Sequence, residues 1–230
     1  MSNFNSIKVK LNRHPIFFVE KMLKSCIDFG FLSPNANLTF SKYKYKPQSY
    51  EDERIVFNFP LQYLDKSSLF DMLIDLDDGE ELALHSEIID FNSTYHFPLI
   101  DFGGKDNKLF ESTFIKFCNY WNIEFQVYSS GRSYHGYGNR LLSKDEWIKF
   151  MGSLLLLNNP GSTKIIDDRW VGHRILAGYS SLRWSRNTAQ YKKYPTHLGI
   201  LNANGFFNEG AFSRFADTLI NQREWSNDNT

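Results

Sequence analysis

The sequence has few cysteines, no long apolar run and no excess of charge of either sign. Its two cysteines among 230 residues form no Cys-x-x-Cys pair, so we expect two buried thiols rather than a zinc cluster or a disulfide. The longest apolar runs, such as Leu154–Leu157, are far too short to cross a bilayer. The first residues lack the apolar segment of a signal peptide. These absences predict a cytoplasmic protein that has no membrane partner.

Charge is balanced over the whole chain but is uneven along it. Basic and acidic residues both number 26, so no global field attracts nucleic acid. The first 50 residues nevertheless hold eight basic residues against two acidic ones, and residues 164–193 hold seven against two. A neutral chain with two basic segments can still form a basic groove.

Hydrophobic periodicity predicts helices and strands that are mixed throughout the chain. Helices are expected over residues 14–29, 60–73, 109–121, 143–157, 169–176 and 209–223. Strands are expected near residues 7–11, 43–46, 55–59, 82–89, 97–102, 123–128, 165–166 and 181–185. This mixture predicts an α/β (α+β) domain with a central mixed sheet flanked by helices. One domain is expected over residues 1–230, with an N-terminal part over 1–80 and a second part over 81–230.

The stretch from Ile123 to Gly138 combines a strand, a turn and the start of a second strand. Apolar residues alternate up to Tyr128, and Ser-Ser-Gly then breaks the pattern. If the chain resumes as a strand, Ser133 and His135 face the same side, close to glycine backbone. A hydroxyl, an imidazole and backbone N–H groups can together bind a phosphate. The alternative is a plain hairpin with a surface histidine.

Two aspartates follow apolar strands: Asp101 after residues 97–100, and Asp167 after residues 165–166. A carboxylate at the end of a buried strand needs a partner, because burying an unpaired charge is costly. A divalent cation such as Mg²⁺ or Mn²⁺ is one such partner, since these ions prefer oxygen ligands. The alternative is that each aspartate caps a turn or a helix.

Basic and aromatic residues follow the second aspartate. Arg174 and Arg183 are fixed planar charges that suit phosphate oxygens. Trp184 could stack on a base, but we expect it in the core.

The order of these motifs resembles the archaeo-eukaryotic primase superfamily, which includes the primase-polymerases. That family carries an acidic pair, then Ser-x-His, then a hydrophobic residue followed by Asp. Ser133-Tyr134-His135 matches the second motif and Ile166-Asp167 matches the third, while Arg174 and Leu182-Arg183 resemble the basic tail of the family. The resemblance covers about residues 82–186.

The first motif departs from the family pattern. Asp101-Phe102-Gly103 has glycine where the second carboxylate belongs, and glycine offers no side-chain ligand. By analogy, Asp101 and Asp167 would hold Mg²⁺ or Mn²⁺, with Asp168 or a remote carboxylate such as Asp106 completing the set. The family mechanism uses two metals that bridge nucleotide phosphates. The missing carboxylate therefore weakens the expectation of polymerisation.

The resemblance implies a nucleotidyltransferase that binds a nucleoside triphosphate and acts on DNA or RNA. Its catalytic residues would be Asp101, Asp167 and His135. Its nucleotide-binding residues would be Ser133, His135, Arg132, Arg174 and Arg183. Two alternatives stay open: a catalytically degraded module that holds a nucleotide or a nucleic-acid end for a partner protein, and a structural subunit whose motifs are accidental. Because the chain has no zinc cluster or helicase motif, an accessory domain would be a separate protein encoded nearby.

Overall fold

The computed structural model describes residues 11–104, 112–191 and 193–208. Within these ranges the chain has both helices and strands, which confirms the α+β class. The helices are α1 (Ile16–Asp28), α2 (Lys66–Ile74), α3 (Ser112–Trp121), α4 (Lys144–Leu155) and α5 (Asp168–Ala177). The predicted helix at 209–223 and Asp106 lie outside the described residues, as do the first four residues of the strand expected at 7–11 and the first three of the helix expected at 109–121.

The predicted central sheet is divided into two sheets. The first has the order β2 (Ile55–Pro60), β1 (Asn37–Lys44), β3 (Glu80–Asp90), β4 (Ser93–His96) and β8 (Leu142–Ser143), with β9 (Ser181–Arg183) also paired to β3. The second has the order β11 (Gly205–Asn208), β10 (Thr196–Asn202), β6 (Phe125–Ser129), β7 (Tyr134–Gly138) and β5 (Leu99–Asp101).

Every strand pairing within the described residues is antiparallel, whereas a mixed sheet was expected. Consecutive strands such as β6 and β7 join through short turns, and short turns connect antiparallel neighbours. The division of the chain at residue 80 stays a prediction. β3 begins at Glu80 and pairs with β1, so the first sheet contains strands from both sides of that division.

Two apolar clusters hold the sheets and helices together. The first packs α1 against the first sheet and includes Leu23, Phe40, Leu84 and Trp184. Trp184 is fully buried, and its indole N–H donates to the Tyr137 hydroxyl at 3.0 Å, which confirms its predicted core position. The second cluster packs α3 and α4 against the second sheet and includes Phe114, Phe125, Phe150 and Ile166.

Local capping explains where two of the helices begin. The predicted helix after Pro60 is divided into a 3-10 turn over Leu61–Tyr63 and then α2, because the Asp65 carboxylate accepts the Ser68 N–H and starts a new helix there. The predicted capping box of α4 is confirmed: Ser143 accepts from the Glu146 backbone, and Glu146 accepts from the Ser143 backbone. No helix among the described residues combines the length and apolar character that a membrane span requires.

Candidate functional site

The candidate site begins where β5 and β7 lie side by side. Asp101 ends β5 and is directly opposite His135 of β7 in the antiparallel register. The His135 Nε2 lies 3.9 Å from the Asp101 Oδ1, and the Ser133 hydroxyl donates to the same oxygen at 3.4 Å. Opposed residues of an antiparallel pair point to one face, so the β5–β7 pairing brings Asp101 and His135 together. The hydrogen bond from Ser133 adds the third side chain.

Asp167 reaches the same cleft from a segment that runs beside β5. Its backbone N–H donates to the Asp101 carbonyl at 3.1 Å, and Phe102 forms an isolated antiparallel bridge with Ile166. Asp167 is also the N-cap of α5, because its Oδ1 accepts the Trp170 N–H at 3.0 Å. Within the described parts of the chain, its Oδ2 accepts no hydrogen bond. The cap and the metal-ligand alternatives are therefore compatible.

Asp101 is a perturbed carboxyl group. Burial raises its pKa to about 7, and the negative charge of Asp167 acts in the same direction. The hydrogen bond from Ser133 and the charges of Arg183 and Arg132 lower the pKa, but by less. A cation bound beside both carboxylates would offset the burial and the repulsion together.

His135 is neutral at physiological pH. Its pKa lies well below the usual histidine value because it is buried, with the charge of Arg183 acting in the same direction. Its Nδ1 is buried and has no hydrogen-bond partner among the residues that the structure describes. A neutral imidazole offers one N–H, so it can donate to a phosphate oxygen without adding positive charge to the cleft.

Close packing accounts for the glycine in the first motif. A Cβ at Gly103 would lie 3.0 Å from the Lys164 carbonyl oxygen and 3.2 Å from the Ile166 carbonyl oxygen. The Gly103 N–H also donates to the Ile165 carbonyl at 2.8 Å. These obstacles are backbone atoms, which cannot rotate away as a flexible side chain can. Gly103 thus permits the close approach of β5 to the segment that carries Asp167.

Asp168 is the predicted metal residue that the structure does not bring into the cleft. It pairs with Lys164 at 2.5 Å, and its Oδ1 accepts the Arg169 N–H at 3.0 Å. Among the described residues, no group of three or more His, Cys, Asp or Glu side chains is arranged to hold a metal ion. Asp101 and Asp167 are the two predicted metal residues that meet in the cleft.

The buried arginines of the predicted basic tail donate mainly to the protein itself. Arg183 donates to the carbonyls of Ser185 and Lys193 and, at 2.5 Å, to that of Ser130. Since Ser130 belongs to the turn that precedes Ser133, Arg183 fixes that turn in place. Both residues line the cleft, but Arg183 is a positioning residue in this arrangement.

Arg174 is likewise engaged, with only 2% of its surface exposed. It donates to the Ser181 hydroxyl at 2.9 Å and to the Asp52 carboxylate. Arg132 is different, because it is exposed at the cleft, where its guanidinium faces the Gln190 side-chain amide. Of the three arginines predicted to bind nucleotide, Arg132 is the most accessible.

The β1–β2 connection, residues 45–54, contributes to the cleft, which the sequence did not predict. Arg54 donates to both Asp52 oxygens, at 3.0 and 2.9 Å, while Arg174 donates to one of them. Burial acts to raise the pKa of Asp52, but the two arginines outweigh it and hold the pKa at about 2. A single Asp-x-Arg triplet carries no periodicity or motif, so no signal in the sequence pointed to this ion pair.

The candidate site forms one cavity of about 450 Å³. Its lining includes Asp101, Asp167, Ser133, His135 and Arg132, together with Asp52 and Arg54 from the β1–β2 connection. The cavity thus brings the Asp101 and Asp167 carboxylates together with hydroxyl, imidazole and guanidinium groups that are able to donate to phosphate oxygens. Its volume is typical of small-molecule sites.

Comparison with known proteins assigns the chain to a family. Searches of curated proteins and of solved structures found no significant match. Residues 61–196 match the family model described as archaeo-eukaryotic primase 1D-like, and this range spans more than half of the chain. The matched range contains Asp101, Ser133, His135 and Asp167, and it excludes the β1–β2 connection. The chain therefore belongs to the archaeo-eukaryotic primase-like family.

Proposed function

We propose that this protein is a primase-like nucleotidyltransferase that binds a nucleoside triphosphate with a divalent cation and acts on DNA or RNA. The observation that carries the proposal is the meeting of Asp101, Asp167, Ser133 and His135 in one cleft of a chain from this family. Asp101, the Ser133-Tyr134-His135 motif and Asp167 are far apart in the sequence, so an accidental match of short motifs would not explain their meeting.

The donor set in the cleft fits one Mg²⁺ or Mn²⁺ ion. Such ions are commonly bound through one or two carboxylates, with substrate phosphates and water as the remaining ligands. Asp101 and Asp167 supply two carboxylates, and burial together with the charge of Asp167 raises the pKa of Asp101, which a bound cation would lower. They would hold the ion, which when bound would supply positive charge to the phosphate oxygens.

The side chains around this pair suit the binding of phosphates. The Ser133 hydroxyl and the neutral His135 ring can each donate one hydrogen bond to a phosphate oxygen. Arg132 adds the accessible positive charge, and its planar guanidinium can bind two phosphate oxygens at once. Arg183 and Arg174 act indirectly, since Arg183 fixes the turn before Ser133 and Arg174 fixes the β1–β2 connection.

Ligand binding is the first test. A nucleoside triphosphate with Mn²⁺ should raise the melting temperature, because a ligand that prefers the folded state stabilises it. His135→Ala should remove most of that rise. The control is the melting temperature without ligand: if His135→Ala alone causes a severe loss of stability, His135 is a core residue and its binding role is refuted.

A second function is favoured by Gly103. Because backbone atoms fill the space where the second carboxylate of the first motif would lie, the protein could be a module that binds a nucleotide or a nucleic-acid end for a partner protein. Extension of a primer by the wild type, abolished in Asp167→Asn, would support the enzyme. Nucleotide binding without any extension, with either Mg²⁺ or Mn²⁺, would support the binding module.

A further inference from the structure

Three tyrosines line the cleft without any role in the proposed phosphate and metal site. They are Tyr43, Tyr45 and Tyr191, and we call them the tyrosine wall. Tyr43 lies in β1, Tyr45 is the first residue after that strand, and both side chains line the same cavity. The ring of Tyr45 meets the ring of Tyr191 edge to face, with their centroids 5.9 Å apart.

Arginines hold the rings of the tyrosine wall in place. The Arg54 guanidinium lies 4.3 Å from the centre of the Tyr43 ring, and the Arg183 guanidinium lies 4.1 Å from the centre of the Tyr191 ring. Both distances are in the range of cation–π attraction. Two of the three rings are therefore held by arginines before any ligand enters, and the third, Tyr45, packs against the Tyr191 ring.

The tyrosine wall is adjacent to the phosphate site. Arg183, which contacts the Tyr191 ring, also donates to the Ser130 carbonyl at 2.5 Å. The Ser130 hydroxyl in turn donates to the Ser133 carbonyl at 2.9 Å. The exposed Arg132 lies 5.7 Å from the centre of the Tyr191 ring. The Arg183 guanidinium thus connects the tyrosine wall to the turn that precedes Ser133.

Exposure distinguishes the tyrosine wall from tyrosines that serve only the core. Tyr128 and Tyr137 are fully buried between packed elements, whereas Tyr45 is 40% exposed and lines the cleft. An aromatic ring that is held by neighbours and still reaches solvent offers a flat apolar surface to a ligand. The purine and pyrimidine rings of nucleotides are ligands of matching shape.

We propose that the tyrosine wall is the nucleobase subsite of the cleft, in which the base of a bound nucleoside triphosphate stacks on the exposed ring of Tyr45 and contacts Tyr191, whose ring holds Tyr45 in place. This inference rests on the proposed function, since the phosphates of the same nucleotide are held at Ser133, His135 and Arg132. Every base has a π-face, so stacking is tolerant of base identity. The subsite therefore distinguishes a nucleotide from a bare polyphosphate and accepts purines and pyrimidines alike.

The test compares two probes on the full chain in the presence of Mn²⁺: adenosine triphosphate and inorganic tripolyphosphate. Both carry the same chain of phosphates, and only the first carries a base. Tyr45→Ala and Tyr191→Ala should each weaken binding of adenosine triphosphate by about five- to 150-fold, the usual range for loss of one base–aromatic stack. Binding of tripolyphosphate should change by less than about twofold, the uncertainty of such a measurement.

Two variants serve as matched controls. Tyr45→Phe keeps the ring and should retain the affinity for adenosine triphosphate, because stacking does not use the hydroxyl. Tyr50→Ala removes an 86% exposed tyrosine from the same β1–β2 connection but outside the cleft lining, so it should leave both affinities unchanged. Melting temperatures measured without ligand show whether Tyr191→Ala is folded, and the exposed Tyr45 provides the test if it is not.

The outcomes separate the subsite from the proposed function. Equal weakening of both probes by Tyr45→Ala, or no weakening of either, overturns the nucleobase subsite while the phosphate site stands. If the wild type binds neither probe, the proposed function falls and the subsite falls with it. A loss restricted to adenosine triphosphate supports the tyrosine wall as the place of the base.

Discussion

The carboxyl group of Asp101 makes the stability of this protein depend on pH in an unusual direction. Its pKa is about 7 in the folded chain because of burial and the charge of Asp167, against 3.8 for an ordinary aspartate. Between these values the unfolded chain is ionised at this position and the folded chain is protonated. The folded state therefore binds more protons, and its stability falls as the pH rises from about 4 to about 7.

The size of this effect follows from the shift. Each pKa unit corresponds to 1.36 kcal/mol, so about 2–3 kcal/mol of stability should be lost between pH 5 and pH 7 from Asp101 alone. The Asp101 side chain is 25% exposed, so the expected loss of stability is smaller than full burial of the carboxyl group would give. For a chain of this length the loss corresponds to roughly 4–12 °C in melting temperature.

Asp101→Asn isolates this contribution, because the amide has nearly the same shape and carries no charge. The melting temperature of the variant relative to the wild type should rise by roughly 4–12 °C between about pH 5 and about pH 8. Asp78→Asn, which changes an exposed aspartate on the turn before β3, should show no such rise. An equal difference between Asp101→Asn and the wild type at both pH values would refute the argument, since Asp101 would then not titrate in this range.

Two further substitutions test the packing around the cleft. In a urea titration, Gly103→Ala should lower the free energy of unfolding by about 1–3 kcal/mol, because its Cβ would meet two carbonyl oxygens. A Cβ at Gly104 meets nothing within 4 Å, so Gly104→Ala should change that free energy by less than about 0.5 kcal/mol. Similar losses for both variants would contradict the close-packing explanation. Asp52→Ala should cost about 2–4 kcal/mol because it leaves the buried Arg174 guanidinium without its carboxylate. The exposed ion pair of Glu53 with Lys46 is the control, and Glu53→Ala should lower the free energy of unfolding by at most about 1 kcal/mol. If Asp52→Ala lowers it by the same amount, the ion pair of Asp52 with Arg174 adds nothing to stability.

The sequence predicted the parts of the site that depend on local pattern. Alternating apolar residues before Ser-Ser-Gly predicted the β6–β7 hairpin, and the same-side placement of Ser133 and His135 follows from strand geometry. The capping box at Ser143 was visible because its two partners are three residues apart. Such features are set by neighbours in the chain, so a single sequence contains the information that defines them.

The parts that the sequence did not predict depend on contacts between distant residues. Asp52 meets Arg174 across 122 positions of the chain, and no local pattern records such a pair. The orientation of Asp168 toward Lys164 was also missed, because the sequence does not show which of two adjacent aspartates faces the cleft. The roles of Asp101, Asp167, His135 and the three arginines in catalysis and binding stay predictions.

The position of the β1–β2 connection affects how this protein can be divided into fragments. The family match begins at residue 61, yet β1 pairs with β3 inside the matched range, and Asp52 and Arg54 belong to the cleft wall. A fragment cut at the start of the match would expose the edge of β3 and leave Arg174 buried beside no carboxylate. Any shortened version made for biophysical or crystallographic work should therefore begin upstream of Asn37, even though the similarity to the family begins later.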